Sequence, residues 1–277
     1  MSNTMQFKAR IKQLAQINHI PAQAVLQNYM LERFLERISK SRFCDKLILK
    51  GGLLISSLVG ISNRTTMDID VTLNHYPLVE EIVNTVITEI CETAIDDQTI
   101  FSIDHLTPIR DDDKYGGYRV SILARFESIV TPVKIDITTG DIITPGAIQF
   151  AFKSQFEDKK YNLFSYTLET VLAEKIETIL RRSVLNTRLR DFYDVYILTK
   201  TQSKQINFNT YCSALEATAQ TRSSGKILGA YSDIIKTIRA NTEMHRRWQR
   251  YCASHYYAGG IPFDEVLDCV ESYNINK

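Results

Sequence analysis

Hydrophobic and polar positions change period along this chain. Over residues 5–18, and again after Pro21 in AQAVLQNYMLERFLERISKS, apolar residues recur at helical spacing, and Pro21 suits a first helical turn. In the second helix Val25, Tyr29, Phe34 and Ile38, with Leu26, Met30 and Leu31, form a broad apolar face that predicts core packing or a cover over a sheet. Residues 47–49 read as a brief strand, 53–59 as one or two helical turns and 68–73 as a strand. LVEEIVNTVITEICETA predicts an amphipathic helix with Leu78, Ile82, Val86 and Ile90 in register. Residues 101–103 and 106–109 predict extended chain, while 118–126 and 131–138 alternate as strands do. From about residue 160 the pattern is helical. Leu168 to Arg182 places Val171, Leu172, Ile176, Ile179 and Leu180 inside and Glu174, Lys175, Arg181 and Arg182 outside. Residues 183–187 read as a linker, a helix opens at Arg188, and amphipathic segments follow at 211–219, 225–240, 243–251 and 264–273. The change of period predicts two domains, 1–160 and 161–277.

The run from Leu47 to Leu73 carries the candidate chemistry. Lys50-Gly51-Gly52 stands between a strand and a helix, where glycines let backbone amides approach an anion and the helix N-terminus adds positive charge. After a polar loop containing Arg64 and Thr66, the alternation of Asp68-Ile69-Asp70-Val71-Thr72-Leu73 puts both aspartates on one face, roughly 6.5–7 Å apart along the strand. Like charges at that distance oppose each other's ionisation unless a cation lies between them. Carboxylate oxygens are what Mg²⁺ prefers, together with substrate phosphates. In VKIDITTGD, Lys134, Asp136 and Thr138 share one face and Val133, Ile135 and Ile137 the other, so Asp136 is placed to stand beside Asp68 and Asp70. Three carboxylates from two strands suit a two-metal site, with ions about 3.5–4 Å apart. The same residues also fit a glycine turn beside acidic, solvent-facing strands. The acidic run at residues 111–113 precedes Gly116-Gly117 without calcium-loop spacing and reads as a solvated loop.

Composition narrows the class. A hydrophobic content of 44% and a charged content of 23% over 277 residues are those of a globular protein. A polar N-terminus without an apolar core segment predicts no secretory signal, and no run of about 18 apolar residues predicts a membrane span. The five cysteines are scattered without a metal or disulfide spacing, which predicts reduced thiols and a cytoplasmic protein. The net charge of +1 favours no partner. Basic residues nevertheless gather at Arg181, Arg182, Arg188 and Arg190 and at Arg246, Arg247 and Arg250, as phosphate-touching patches or solvated helix faces. Lys175 is a candidate to reach a triphosphate and Asp191 to order a base or a neighbouring cation, although a lone Lys and Asp on helices are more commonly surface residues.

The ordered motifs KGG…R.T.DID, YxGYR, KIDI..GD, AEK.E.I..R and N.R..DFYD resemble those of the AbiEii-type toxins, nucleotidyltransferase-like proteins of bacterial abortive-infection and type IV toxin–antitoxin systems related to the MenT toxins. The resemblance implies an α+β fold, a minimal nucleotidyltransferase-like mixed sheet flanked by helices and followed by a C-terminal helical bundle. It implies phosphate binding at Gly51 and Gly52, metal binding at Asp68 and Asp70, a third carboxylate at Asp136, and nucleotide handling at Lys175 and Asp191. Leu53 follows Gly52 where many relatives carry Ser or Thr, leaving Ser56, Ser57 or Thr66 to supply a hydroxyl.

The resulting expectation is a Mg²⁺-dependent toxin that moves a nucleoside monophosphate from an NTP to RNA, with the tRNA 3′ end as acceptor, and so blocks translation in phage defence. Asp68, Asp70 and Asp136 are catalytic and metal-binding. Lys50, Gly51, Gly52, Arg64, Thr66, Lys175 and Asp191 bind nucleotide, and Arg181, Arg182, Arg188 and Arg190 bind RNA. The partner is an antitoxin that need not form a tight complex. Two alternatives stay open: transfer to a protein or small molecule, and a non-catalytic NTP-binding regulator.

Overall fold

A computed structural model describes residues 3–109 and 116–276, so the loop expected at residues 111–113 lies outside the described residues. The chain divides into two compact units, Met1–Gly140 with Ala147–Ser165 and Asp141–Gly146 with Tyr166–Lys277.

The first unit contains α1 (Asn3–Asn18), α2 (Ala22–Lys40), β1 (Leu47–Lys50), α3 (Gly51–Val59), β2 (Asp68–Leu73), α4 (Glu80–Cys91), β3 (Thr99–Ile109), β4 (Gly117–Phe126), β5 (Ile129–Thr138), β6 (Ile148–Lys153) and β7 (Lys160–Ser165). Its strands form one mixed sheet in the order β3-β4-β5-β2-β1-β7-β6. Strand β2 runs parallel to β5, and β1 parallel to β7, while the other neighbours are antiparallel. On the central strands Ile69, Val71, Leu73, Val133, Ile135 and Ile137 are buried. Each such side chain contributes about 1.5–3 kcal/mol, so the alternation that seats them also fixes which face carries the aspartates.

Several expectations change. The helical reading from residue 160 misses β7, and the boundary at 160/161 falls at its start; the division comes after Ser165. Strand β6 also escapes the pattern, because this edge strand buries only Phe152 fully and its alternation is weak. The two extended pieces at 101–109 are one strand with a register shift between Ile103 and His105. Helix α4 starts at Glu80, so Leu78 precedes it, and its buried stripe is Val83, Val86, Ile87 and Ile90. Helix α2 has no solvent face over most of its length: Gln27, Asn28, Glu32, Arg33, Glu36 and Arg37 are buried with the apolar residues. These polar groups are tolerated because they are paired. Arg33 meets Glu36 at 3.2 Å and Glu157 at 3.3 Å, and Arg37 grips Asp97 at 2.7 and 2.8 Å.

The second unit consists of α5 (Leu168–Arg182), α6 (Leu189–Gln202), α7 (Phe208–Thr221), α8 (Tyr231–Ala240), α9 (Thr242–Ser254) and α10 (Phe263–Ser272), joined by short 3₁₀ turns. One of these, Gly225–Ala230, breaks the segment expected to be continuous over 225–240. Thr167 caps α5 by accepting the Thr170 N–H, Asn207 caps α7 and Asn241 caps α9. Residues 141–146 join this unit because Thr144 bonds the α5 start: its carbonyl accepts from Thr167 Oγ1 at 2.8 Å and its amide donates to Thr170 Oγ1 at 3.0 Å.

Candidate active site

The strand registers assemble a row of four charged residues across the middle of the sheet. Lys50 on β1 is opposite Asp70 on β2, Asp70 is beside Asp136 on β5, and Asp136 is opposite Arg119 on β4. Adjacent strands lie about 4.8 Å apart, so the two carboxylates are near neighbours with a cation at each end of the row. Asp68 stands two residues from Asp70 on the same strand face, beside Lys134.

The glycines begin a helix rather than occupying a free turn. Gly51 and Gly52 are the first residues of α3, and Gly51 has φ +64°, a left-handed conformation that glycine alone adopts readily. A side chain at Gly51 would collide with Asp70, and one at Gly52 would press on Thr66 and Arg64. The Gly52 N–H, expected to face a phosphate, donates to Asp70 Oδ2 at 3.3 Å. Arg64 and Thr66, each 1% exposed, form the wall behind this helix start. The Thr66 hydroxyl donates to Asp68 Oδ1 at 2.7 Å, and Arg64 donates to the Thr65 carbonyl. Both therefore orient the site's own parts. Lys50 Nζ donates to Thr138 Oγ1 at 2.6 Å, on the face shared with Asp136.

Asp136 is held by a residue that did not figure among the candidates. Arg119 donates from Nε to Oδ1 at 2.7 Å and from Nη2 to Oδ2 at 2.6 Å. The bond to Asp136 raises the Arg119 pKa, with further support from the charges of Asp136, Asp68 and Asp70. The signal was present in the strand alternation of residues 118–126, which places Arg119 on one face of β4, and in the short connection to the next strand, whose two-residue turn sets the hairpin register that brings it to Asp136.

Mg²⁺ binds through one or two carboxylates and substrate phosphates, and the hard oxygen donors of Asp68 and Asp70 fit that requirement. The expected three-carboxylate cage is not assembled as it stands. Both oxygens of Asp136 engage Arg119, and no group of three or more His, Cys, Asp or Glu residues among those described is arranged to hold a metal.

In the second unit Lys175 and Asp191 come together, and neither is a surface residue. Lys175 Nζ lies 2.7 Å from Asp191 Oδ1 and 3.0 Å from Asp194 Oδ2, and the Asp191 side chain is 1% exposed. Burial opposes the charge on Lys175, but Asp191 and Asp194 outweigh it and raise its pKa. Arg188 Nε lies 2.9 Å from the other oxygen of Asp191, an ion pair. Of the remaining expected RNA contacts, Arg181 bonds buried Glu177 at 2.9 Å, while Arg182 and Arg190 are half-buried at the end of α5 and the start of α6. The four arginines thus do not form one open stripe.

Two solved structures that share this architecture are described as nucleotidyltransferases. A putative nucleotidyltransferase from H. pylori superposes with a TM-score of 0.50 at 14% identity, covering 93% of this chain and 97% of its own. The MenT4 nucleotidyltransferase toxin Rv2826c from Mycobacterium tuberculosis H37Rv does so with a TM-score of 0.53 at 14% identity, covering 95% and 97%. At that identity the likeness is one of fold. No curated protein gives a significant match. Residues 33–269, however, match the family described as "Nucleotidyl transferase AbiEii toxin, Type IV TA system", and the chain belongs to that family. It is accordingly a nucleotidyltransferase of the toxin–antitoxin type, for which the family implies an NTP substrate and an antitoxin. No helix among the described residues is long and apolar enough to cross a membrane.

Proposed function

We propose that this toxin transfers a nucleoside monophosphate from an NTP to an RNA acceptor, the tRNA 3′ end, in a Mg²⁺-dependent reaction that blocks translation as a phage defence. The observation that carries the reading is the register of Asp70 with Asp136 on adjacent parallel strands, beside a helix that opens on Gly51. In the reaction an acceptor hydroxyl oxygen attacks the α-phosphorus, its proton passes to Asp136, and the bond to pyrophosphate breaks. Mg²⁺, where bound, supplies neutralisation of the charge on the phosphates. Asp68 and Asp70 are the residues to hold it, with Thr66 fixing the Asp68 carboxylate and Gly52 the Asp70 carboxylate. The Gly51–Gly52 backbone and Lys50 hold the phosphates, and positioning with electrostatic stabilisation supplies most of the rate. In the second unit the arginines around the α5–α6 connection meet the RNA backbone. The site of action is the cytoplasm, and the partner is an antitoxin that need not form a tight complex.

The test is incubation of the purified protein with Mg²⁺, each labelled NTP separately and total tRNA. Label in an RNA band, lost in Asp68→Ala, is the expected result, with transfer falling steeply as salt rises because RNA binding releases counterions. Label confined to protein or to a small molecule would replace the acceptor. Nucleotide binding without transfer, together with growth arrest that survives Asp68→Ala, would overturn the reading.

A further inference from the structure

The charged row has a consequence for how the site takes up its cation and nucleotide, resting on the transfer reaction proposed above. Asp136 has two carboxylate oxygens, and Arg119 occupies both through a parallel pair of charge-assisted hydrogen bonds. A divalent cation that took oxygens of Asp136 would meet the guanidinium held against the same carboxylate, and the two positive charges would repel. Each oxygen keeps a second lone pair, so the closed clamp weakens the part Asp136 can play beside Asp68 and Asp70 around a cation, through charge repulsion.

Arg119 is free to leave in a way that the buried arginines of this unit are not. Its side chain is 43% exposed, whereas that of Arg33 is 1% exposed and that of Arg37 3% exposed. The planar fork that fits a carboxylate fits a phosphate equally well. At the other end of the row Lys50 directs its ammonium to Thr138, on the same face of the sheet, so both ends carry a flexible cation beside the carboxylates.

We propose that Arg119 is a two-position residue: it closes Asp136 in the nucleotide-free protein, and it turns onto the triphosphate of the incoming nucleotide when a divalent cation takes its place on Asp136. Closure keeps the carboxylate cluster neutralised and weakens cation binding before nucleotide arrives. Release adds an arginine to the phosphates at the moment the cation site is completed. Arg119 acts here as a nucleotide-positioning residue, and the clamp couples cation binding to nucleotide binding.

The experiment is a titration of the full-length protein with Mn²⁺ alone, followed by electron paramagnetic resonance, in wild type, Arg119→Gln and Arg119→Lys. A parallel titration uses the α,β-methylene analogues of ATP, GTP, CTP and UTP in the presence of Mg²⁺. Without nucleotide, Arg119→Gln is expected to bind Mn²⁺ about tenfold tighter than wild type, the scale of one bidentate charged contact. It is expected to bind the preferred analogue about tenfold more weakly for the same reason. Adding Asp136→Asn to Arg119→Gln should erase the Mn²⁺ gain. If Arg119→Gln loses its far-UV dichroism, Arg119→Lys makes the comparison, since it keeps the charge and loses the fork. Mn²⁺ affinity equal to or below that of wild type in a folded variant overturns the proposal, as does an unchanged analogue affinity. Label transfer to RNA alongside an unchanged Mn²⁺ affinity would sink the clamp and leave the reaction standing. A tighter Mn²⁺ site in a protein that transfers nothing would support the clamp and sink the reaction.

Discussion

The carboxylate of Asp70 occupies the space that a side chain at Gly51 would need: an ideal Cβ there would lie 2.0 Å from Asp70 Oδ2. The helix start and the aspartate are thus parts of one close-fitted unit, and the glycine is required twice, for its positive φ and for the room it leaves.

Gly51→Ala should therefore displace Asp70 and lower nucleotide transfer by about a hundredfold, the scale expected for misplacing a catalytic group by an ångström. Gly60→Ala is the control. Gly60 also has positive φ, but its nearest obstacle is Ser62 Oγ at 4.0 Å, so only backbone strain of about 1–2 kcal/mol is added. Transfer by Gly60→Ala should persist in protein with a lowered melting temperature, and equal activity of the two variants would contradict the role given to the Gly51 contact.

Thr66→Val keeps the shape of a buried residue and removes the hydroxyl that bonds Asp68. We expect the protein to stay folded and kcat to fall about tenfold, since a hydrogen bond to a charged group contributes about 1.5–3 kcal/mol. Steady-state kinetics with the preferred NTP would show it, and an unchanged kcat would remove Thr66 from the site.

Lys175→Met should destabilise the fold where Asp68→Ala does not. Removing the ammonium takes away the cation that lies within 3.0 Å of both buried aspartates, Asp191 and Asp194, while Arg188 still meets Asp191. Breaking a buried ion pair in this way costs about 3–5 kcal/mol. Urea unfolding would measure the loss, and combining Lys175→Met with Asp194→Asn should recover part of it. A Lys175→Met protein as stable as wild type would contradict the buried cluster.

Glu32 supplies a pH signature distinct from the active site. Burial pushes its carboxyl up to about 7, against the hydrogen bonds it accepts from Ser154 and the Gln155 amide. The folded state then holds a proton that the unfolded chain, titrating near 4.5, releases. Its contribution is full below pH 4.5 and is lost as pH rises to 7, a change on the order of 3 kcal/mol. Glu32→Gln should flatten this part of the stability profile and exceed wild type only above the window. Denaturation midpoints measured from pH 4 to pH 8 would reveal parallel curves if Glu32 were not the source.

Periodicity alone located β2, β5 and α5, because each pairs one buried face with one polar face and the spacing of the apolar residues states the element. For the same reason Asp68, Asp70 and Asp136 were legible as residues on the outer faces of strands, and the ordered motifs around them carried the resemblance to the family that the chain proves to match. Only the tertiary structure decided what those faces meet. Arg119 and Asp136 meet across the β4–β5 hairpin, in a register set by the two-residue turn between Phe126 and Ile129, whereas Asp70 is brought beside Lys50 and Asp136 by pairings between distant segments that leave no local trace. Helix α2 shows the same limit: its apolar spacing states one buried face, while the burial of its charged residues follows from partners such as Asp97, Ser154 and Glu157 far along the chain. Lys175 and Asp191 were legible as candidate nucleotide contacts, but their burial with Asp194 follows only once α5 and α6 pack together. Local sequence determines which way a side chain points on its own element, whereas its burial, partners and charge balance depend on which other elements fold against it.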